Sequence, residues 1–321
     1  MSRIFVSTET DPYFNIAAEY QLFLEAVDEP QLFLWQNNRA VIMGRNQSFS
    51  AECDMEFLQK HHIKLARRFS GGGSVFHDLG NVNFTFLSTE AAAEPDRYLK
   101  VIKNAIEFCG VQCDFSSRND LVTDGKKFSG HAYYTDHGKY MYHGTIMISV
   151  DFELLSGALH PSYLKLHSKG IDSVKSRVIN LSEINREITT EGIMRACITA
   201  FRQEYAAGGI VEYLGGRQMR PEALDMLRSE SWIYGQSPDY EIEIEKKLSF
   251  GNVTINSDVT DGRITRIKIY TDGLAPISFA ECEKELSGEI FHEAVIVQKI
   301  EKWYSTCYNR FALTRFMPIG L

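Results

Sequence analysis

Residues 67 to 86 read "RRFSGGGSVFHDLGNVNFTF", with three consecutive glycines between a basic pair and an alternating segment. Ordering a glycine costs about 0.5–1 kcal/mol more than ordering an alanine, so a triple run needs a physical reason. A hairpin between "KLARR" (Lys64 to Arg68) and the strand-like "SVFH" (Ser74 to His77) needs only about two turn residues. The stronger reading is a backbone that comes close to a ligand, its N–H groups forming a concave nest for a phosphate or carboxylate. Arg67 and Arg68 are then expected at the rim, where cations suit an anion. No Lys-Ser or Lys-Thr follows the glycines, and the spacing is not that of the dinucleotide fingerprint. Any nucleotide is held another way.

Around this run the chain alternates helix-like and strand-like segments. "NIAAEYQLFLEAV" (Asn15 to Val27) has helical periodicity, "QLFLWQ" and "RAVIMG" read as strands, and "DMEFLQKHH" reads as a helix. "NVNFTFL" is expected as a strand and "DRYLKVIKNAIEFCG" as a helix stopped by Gly110. "GKKFSGHAYYT" and "KYMYHGTIMIS" follow as two more strands, and "TTEGIMRACITAFRQEY" as a long helix. After "SESWIYGQSPDY", paired strands around a "DG" turn and two helical stretches predict a second unit. The division expected is 1–244 and 245–321, which suits a chain of 321 residues that is 44% hydrophobic. No internal repeat or low-complexity segment is visible.

Charge and cysteine usage narrow the class. No window approaches the roughly 18 apolar residues of a membrane span and the start has no apolar leader, so a soluble, cytoplasmic protein without a membrane partner is expected. The six cysteines form no CxxC pair, which fits neither a disulfide framework nor a zinc site. A net charge of −8 argues against nucleic acid as a partner. The cations nevertheless cluster at Arg67, Arg68, Lys126 and Lys127, and again at Lys165, Lys169, Lys175 and Arg177, which suggests a polyanionic small substrate.

Three further segments lie between expected strands, where a sheet can hold functional loops. "SRNDL" offers Asn119 and Asp120, "GKKFSGHA" offers Lys127, and "HGT" offers His143 and Thr145. Lys127 is either a solvated charge or a cation at the site, and Ser129 and Gly130 thin out the side chains beside it as though a ligand passes there. Asp120 is either a magnesium ligand, since that ion takes one or two carboxylates plus substrate phosphates, or ordinary Asn-Asp turn chemistry. His77 and Asp78 point to opposite faces of an extended segment and cannot orient one another, so His77 reads as a packed, hydrogen-bonding histidine.

"RRFSGGGSVFHDLGNVNFTF", "SRNDLVTDGKKFSGHAYY", "YHGTIMI" and "KGIDSVKSRVINL", in that order, closely resemble the lipoate-protein ligase A family. The resemblance runs from "DPYFNIAAE" to "GRITRIKIYTD". It implies an α/β (α+β) fold: a large catalytic domain with mixed sheets and flanking helices, like that of biotin ligases, and a small C-terminal α+β accessory domain. It also implies an enzyme that uses ATP and Mg2+ to convert (R)-lipoate to lipoyl-AMP and pyrophosphate, then passes the lipoyl group to a lysine of an acceptor. The acceptors implied are lipoyl-domain proteins, the E2 subunits of 2-oxoacid dehydrogenases and the glycine-cleavage H protein. By resemblance Arg68, Gly73, Ser74, Val75, Phe76, Asn81 and Asn119 contact the nucleotide. Ser70, Gly71, Gly72, His77 and His143 contact lipoate, Asp120 is the candidate Mg2+ ligand, and Lys127 touches both substrates and is catalytic. The basic cluster from Lys165 to Arg177 is expected to meet the acidic acceptor. Two other readings compete: an ATP-independent octanoyl or lipoyl acyltransferase working through a thioester on Cys109 or Cys113, and a binding module that senses the ligand without catalysis.

Overall fold

A computed structural model describes residues 2–116, 120–159, 178–206, 208, 210–234, 242–275 and 277–316. Asn119 and the basic cluster of Lys165, Lys169, Lys175 and Arg177 lie outside the described residues. The chain begins with β1 (Ile4–Ser7), α1 (Pro12–Leu24), β2 (Gln31–Trp35), β3 (Ala40–Met43), α2 (Phe49–Glu52), α3 (Met55–Lys60), β4 (Lys64–Arg67), β5 (Val75–His77) and β6 (Asn81–Thr89). It continues with α4 (Pro95–Phe108), β7 (Asp114–Phe115), β8 (Leu121–Thr123), β9 (Lys126–Ser129), β10 (His131–Asp136), β11 (Lys139–Met147) and α5 (Phe152–Ala158). Then come α6 (Leu181–Ile184), α7 (Thr190–Tyr205), β12 (Val211–Leu214), α8 (Leu224–Arg228) and α9 (Glu230–Ile233). A C-terminal unit holds β13 (Ile242–Leu248), β14 (Gly251–Thr260), β15 (Arg263–Thr271), α10 (Ala280–Leu286) and α11 (Glu293–Phe316).

The larger unit is built on a mixed sheet of order β10-β11-β6-β2-β1-β12. Its central strand β6 is buried along nearly all its length, because α4 and α7 cover one face and α1 shares the other with a cavity. Val82, Phe84 and Phe86 enter the core beneath α4 and α7. The intervening Asn81, Asn83 and Thr85 face the opposite way, as the two-residue period of a strand requires. Helix α4 buries Tyr98, Val101, Ile102, Ala105 and Ile106, an apolar stripe at helical spacing, and Phe86 stacks on Tyr98 with ring centroids 4.7 Å apart. Each such fully buried aromatic contributes roughly 1.5–3 kcal/mol. Helix α1 covers the other face and starts earlier than its periodicity predicts, at Pro12, because a proline is tolerated in the first turn.

The glycine run does not close a hairpin: β4 and β5 flank β3 in a sheet of order β4-β3-β5, parallel on one side and antiparallel on the other. The run therefore crosses the end of β3. "GKKFSGHAYYT" is not one strand but two, β9 and β10, which part at Gly130 and join different sheets.

In the C-terminal unit β13, β14 and β15 form an antiparallel sheet backed by α10 and α11 around Val253, Ile255, Ile269, Phe279 and Ile300. The expected "DG" hairpin is present, with positive φ at Asp261 (51°) and Gly262 (74°). Strand β13 runs through position 244, so the division proposed here precedes Ile242. The end of β15 and the residues after it dock on the larger unit through backbone bonds: Thr271 N–H to Asn46 O at 2.7 Å and Gly72 N–H to Gly273 O at 2.9 Å.

Candidate functional site

The adjacent arginines of the motif do different jobs. Arg67 points away from the expected site and donates only to backbone carbonyls: Gly44, Arg45 and Gln47 from Nη1, and Trp232 and Ile233 from Nε and Nη2. It pins α9 to the loop after β3, which corrects its placement at an anion-binding rim. Arg68 faces a cavity of about 340 Å³. It also spends most of its donors locally: Nε on Ser70 Oγ (2.9 Å), Nη1 on Ile42 O (3.1 Å), and Nη2 on Gly71 O (2.6 Å) and Gly73 O (2.9 Å). Burial lowers the pKa of both guanidiniums to about 10, leaving them charged near neutrality. Arg68 is thus the clamp that shapes the glycine run, with its charge held beneath the cavity.

Gly71 and Gly72 each answer to a named neighbour. A Cβ on Gly71 would stand 2.5 Å from Gly273 O and 2.8 Å from Leu274 O, so the close approach there is to the C-terminal unit. Gly72 has φ +90° and lies against the Arg68 guanidinium, where a Cβ would sit 2.9 Å from Nη2. Across β3, a Cβ on Gly44 would overlap Gly72 O at 1.9 Å. The run is fitted first to its own protein. Gly72, Gly73 and Ser74 still line the cavity, and Asp272 and Leu274 of the C-terminal unit complete that wall.

A buried hydrogen-bond chain closes one end. Trp35 Nε1 donates to Thr85 Oγ1 (3.1 Å), Thr85 Oγ1 donates to Glu19 Oε1 (2.6 Å), and the same carboxylate lies 2.8 Å from His143 Nδ1. His143 Nε2 lies 2.8 Å from Ser70 Oγ. With Nδ1–H donating to Glu19, Nε2 accepts from the Ser70 hydroxyl, which accepts in turn from Arg68. Ser70 is fully buried and does not line the cavity. The chain therefore orients Arg68, Ser70 and His143 rather than presenting a nucleophile.

At the other end Lys127 Nζ forms an ion pair with Asp120 Oδ1 at 2.8 Å. The space at Gly130 belongs to this lysine: a Cβ there would lie 2.8 Å from Nζ and 2.9 Å from Cε. Gly130 also lines the cavity beside Lys127. Asp120, the candidate Mg2+ ligand, lines the cavity and meets Lys127 through Oδ1. Among the described residues no group of three or more His, Cys, Asp or Glu side chains could hold a metal ion. Both oxygens of Asp272 accept from Asn252, the backbone N–H at 2.7 Å and Nδ2 at 2.8 Å.

Of the residues proposed from sequence, Arg68, Gly72, Gly73, Ser74, Val75, His77, Asp120, Lys127 and His143 surround this one cavity. Ser70 and Gly71 stand behind it. Phe76 turns into the core on the far side of β3 to β5, because it alternates with Val75 and His77 along β5. Asn81 is off the cavity wall, its Nδ2 bonded to Asn83 Oδ1 at 3.0 Å, and Asn83 lines the cavity in its place. Sequence reasoning missed Glu19 and Trp35. Glu19 left a signal, a carboxylate among the apolar positions of "NIAAEYQLF" that a plain core helix would exclude. Asp272 and Leu274 left none, since their role depends on docking between the two units.

The family model of the lipoyl protein ligase A/B catalytic domain matches residues 11–202, and that of the bacterial lipoate protein ligase C-terminus matches residues 237–317. A lipoate-protein ligase A of Blochmanniella floridana is 33% identical over 312 residues, 94% of this chain and 92% of its own. The protein of that name from Bdellovibrio bacteriovorus is 34% identical over 299 residues, 90% and 88% of the two chains. Among solved structures, P. falciparum LipL1 in complex with lipoate superposes with a TM-score of 0.75 at 26% identity, covering 95% of this chain and 99% of that one. A lipoate-protein ligase A bound with ATP gives 0.64 at 21% identity, over 74% and 99% of the two chains. A bi-partite lipoate protein ligase of Thermoplasma acidophilum, solved as a lipoylation system with its E2 lipoyl domain, gives 0.65 at 22%, over 75% and 99%. The last two likenesses speak to the fold alone.

Proposed function

The chain belongs to the lipoate-protein ligase A family, and from that premise we propose that it activates lipoate with ATP and transfers the lipoyl group to a lysine of a lipoyl-domain protein. The observation that carries the reading is the convergence, in one cavity, of the Lys127 ammonium, the Gly72 to Ser74 backbone and an apolar strip of Trp35, Ile42 and Val75. An amphiphilic acid fits that arrangement, its chain along the strip and its carboxylate toward the cation.

In the first step a lipoate carboxylate oxygen attacks the α-phosphorus of ATP, the bond to the bridging oxygen breaks, and pyrophosphate leaves. Two anions must approach, so a fixed cation and preorganised N–H dipoles lower the barrier. Lys127 supplies the first and the glycine run, held in shape by Arg68, supplies the second. In the second step the acceptor amine attacks the acyl carbon of lipoyl-adenylate. The tetrahedral oxyanion is met by the same ammonium, and AMP leaves as the amide forms. Asp120 keeps Lys127 extended toward the cavity between turnovers. An Mg2+ ion entering with ATP would draw on the Asp120 carboxylate, which lines the cavity, and would offset phosphate charge there.

Burial and lining favour this reading over the thioester acyltransferase. Cys113 is buried and burial pushes its thiol up to about 11, Cys109 is shifted the same way, and neither borders the cavity. The T. acidophilum neighbour was solved as a system with its E2 lipoyl domain, so a lipoyl domain is the acceptor class proposed, as E2 subunit or glycine-cleavage H protein. The test is to incubate the purified protein with lipoate, ATP and an apo lipoyl domain and to follow the domain by mass spectrometry. A lipoyl mass gain on one lysine that requires ATP supports the proposal. A gain without ATP from a lipoylated carrier protein supports the acyltransferase instead.

A further inference from the structure

Among the described residues, His77 Nε2 faces the cavity wall without a protein partner, on a ring that is 3% exposed. Its chemical state follows from its neighbours. Asn15 Nδ2 donates to the Glu9 and Gln36 carbonyls at 3.0 and 2.8 Å and to Asn37 Oδ1 at 3.0 Å. The Asn37 amide is therefore fixed with its oxygen toward Asn15 and its Nδ2 toward His77 Nδ1, 3.1 Å away. A nitrogen that accepts from Asn37 carries no proton, so in the neutral ring the hydrogen is on Nε2. Burial, with Arg68 and His143 nearby, lowers the pKa of His77 to about 3, and the ring stays neutral at every working pH.

The donor also has a position along the cavity. Gly130, which abuts Lys127 Nζ, has its N–H against Thr145 Oγ1 at 3.4 Å, so the lysine lies at the Thr145 end of β11. His143 is two residues back along that strand and pairs with Thr85, whose Oγ1 accepts from Trp35, and His77 meets the Trp35 ring edge-on with centroids 6.1 Å apart. On β5, His77 follows Val75 on the same face, roughly 7 Å further along at about 3.3 Å per residue. An acid with its carboxylate at Lys127 and its chain along Val75 brings its far end to His77.

We propose that His77 Nε2–H reads the sulfur of the lipoyl ring, making this residue a specificity determinant for a dithiolane over a saturated acyl chain. The inference rests on the ligase reading above. A ring sulfur is a weak acceptor, yet it gives the buried N–H a partner, whereas a methyl or methylene seals the donor off unsatisfied. Asn37 is the positioning residue, because it decides which nitrogen carries the hydrogen.

The experiment compares three acids in acid-dependent ATP–pyrophosphate exchange: lipoate, its carbocyclic isostere 5-cyclopentylpentanoate, and octanoate. The isostere keeps the ring shape and removes only the sulfurs. In the unaltered protein KM for lipoate is expected to be about five- to tenfold below that for the isostere, the lower range for leaving a buried donor unpaired. In His77→Leu that ratio falls to within about twofold through a rise in the lipoate KM, and His77→Gln, which retains an N–H, restores part of it. Equal KM for lipoate and the isostere in the unaltered protein, a comparison that needs no variant to fold, overturns the inference and leaves the ligase reading standing. A full ratio retained in folded His77→Leu overturns it as well. Exchange with none of the three acids overturns both.

Discussion

Replacing Gly130 with alanine should disable the site while barely touching the fold. The added Cβ would lie 2.8 Å from Lys127 Nζ and 2.9 Å from Cε, where ordinary contact begins at 3.4 Å, so the ammonium must retreat by about 0.6 Å. The side-chain end is the part that gives way. Gly130 φ lies outside the left-handed region, so alanine brings no backbone strain. The stability at stake is the partly exposed Lys127–Asp120 pair, and such pairs contribute roughly 0–1 kcal/mol. Catalysis is less forgiving: misplacing a group by about 1 Å costs on the order of 100-fold, so about 0.6 Å should cost roughly 10- to 100-fold. Lipoate-dependent pyrophosphate exchange and thermal unfolding, measured on the same preparation, check both halves. A variant with native exchange rates would refute the placement of Lys127. One that melts many degrees early would refute the argument that only a side chain moves.

Three further outcomes are expected. Lys127→Ala should slow adenylate formation and transfer from supplied lipoyl-adenylate by about 100- to 1000-fold each, the range for losing a preorganised oxyanion donor, and transfer at the native rate would end its dual role. Replacing Cys109 and Cys113 together with serine should leave ATP-dependent ligation within a few-fold, and its loss in a folded variant would revive the thioester route. The third outcome concerns pH. His77 has its folded pKa lowered from 6.5 to about 3, so it takes up a proton on unfolding. Its stabilisation is intact above about pH 6.5 and is lost as pH falls toward 3, by at most about 1.4 kcal/mol per pH unit. His77→Gln should therefore flatten the fall in denaturant-derived stability between pH 6.5 and 5, and parallel profiles for the two proteins would count against a neutral buried His77.

How much of this was legible beforehand depended on whether a residue's role is local. The alternation of "NVNFTF" announced a strand with a polar face, and that face supplies Asn83 and Thr85 to the site. Lys127, Gly72, Gly73 and Ser74 were recoverable from glycine clustering beside cations, because close backbone approach leaves a composition signal. Arg67 and Arg68 were indistinguishable in the sequence, since only strand geometry decides which one faces the cavity. The reason for Gly71 lies more than two hundred residues away, at Gly273 and Leu274, in a contact between the two units. Glu19 was overlooked because helical periodicity absorbs an occasional charge, whereas its burial beside His143 marks it as part of the site.

The central claim is activation through an adenylate at Lys127. The most direct measurement mixes the purified protein with lipoate and ATP labelled at the α-phosphate, without any acceptor, and separates the protein-bound products. Label retained as lipoyl-adenylate, with matching pyrophosphate release that Lys127→Ala slows by about 100- to 1000-fold, is the result expected. ATP left intact while the same preparation transfers acyl groups from a carrier protein would contradict it.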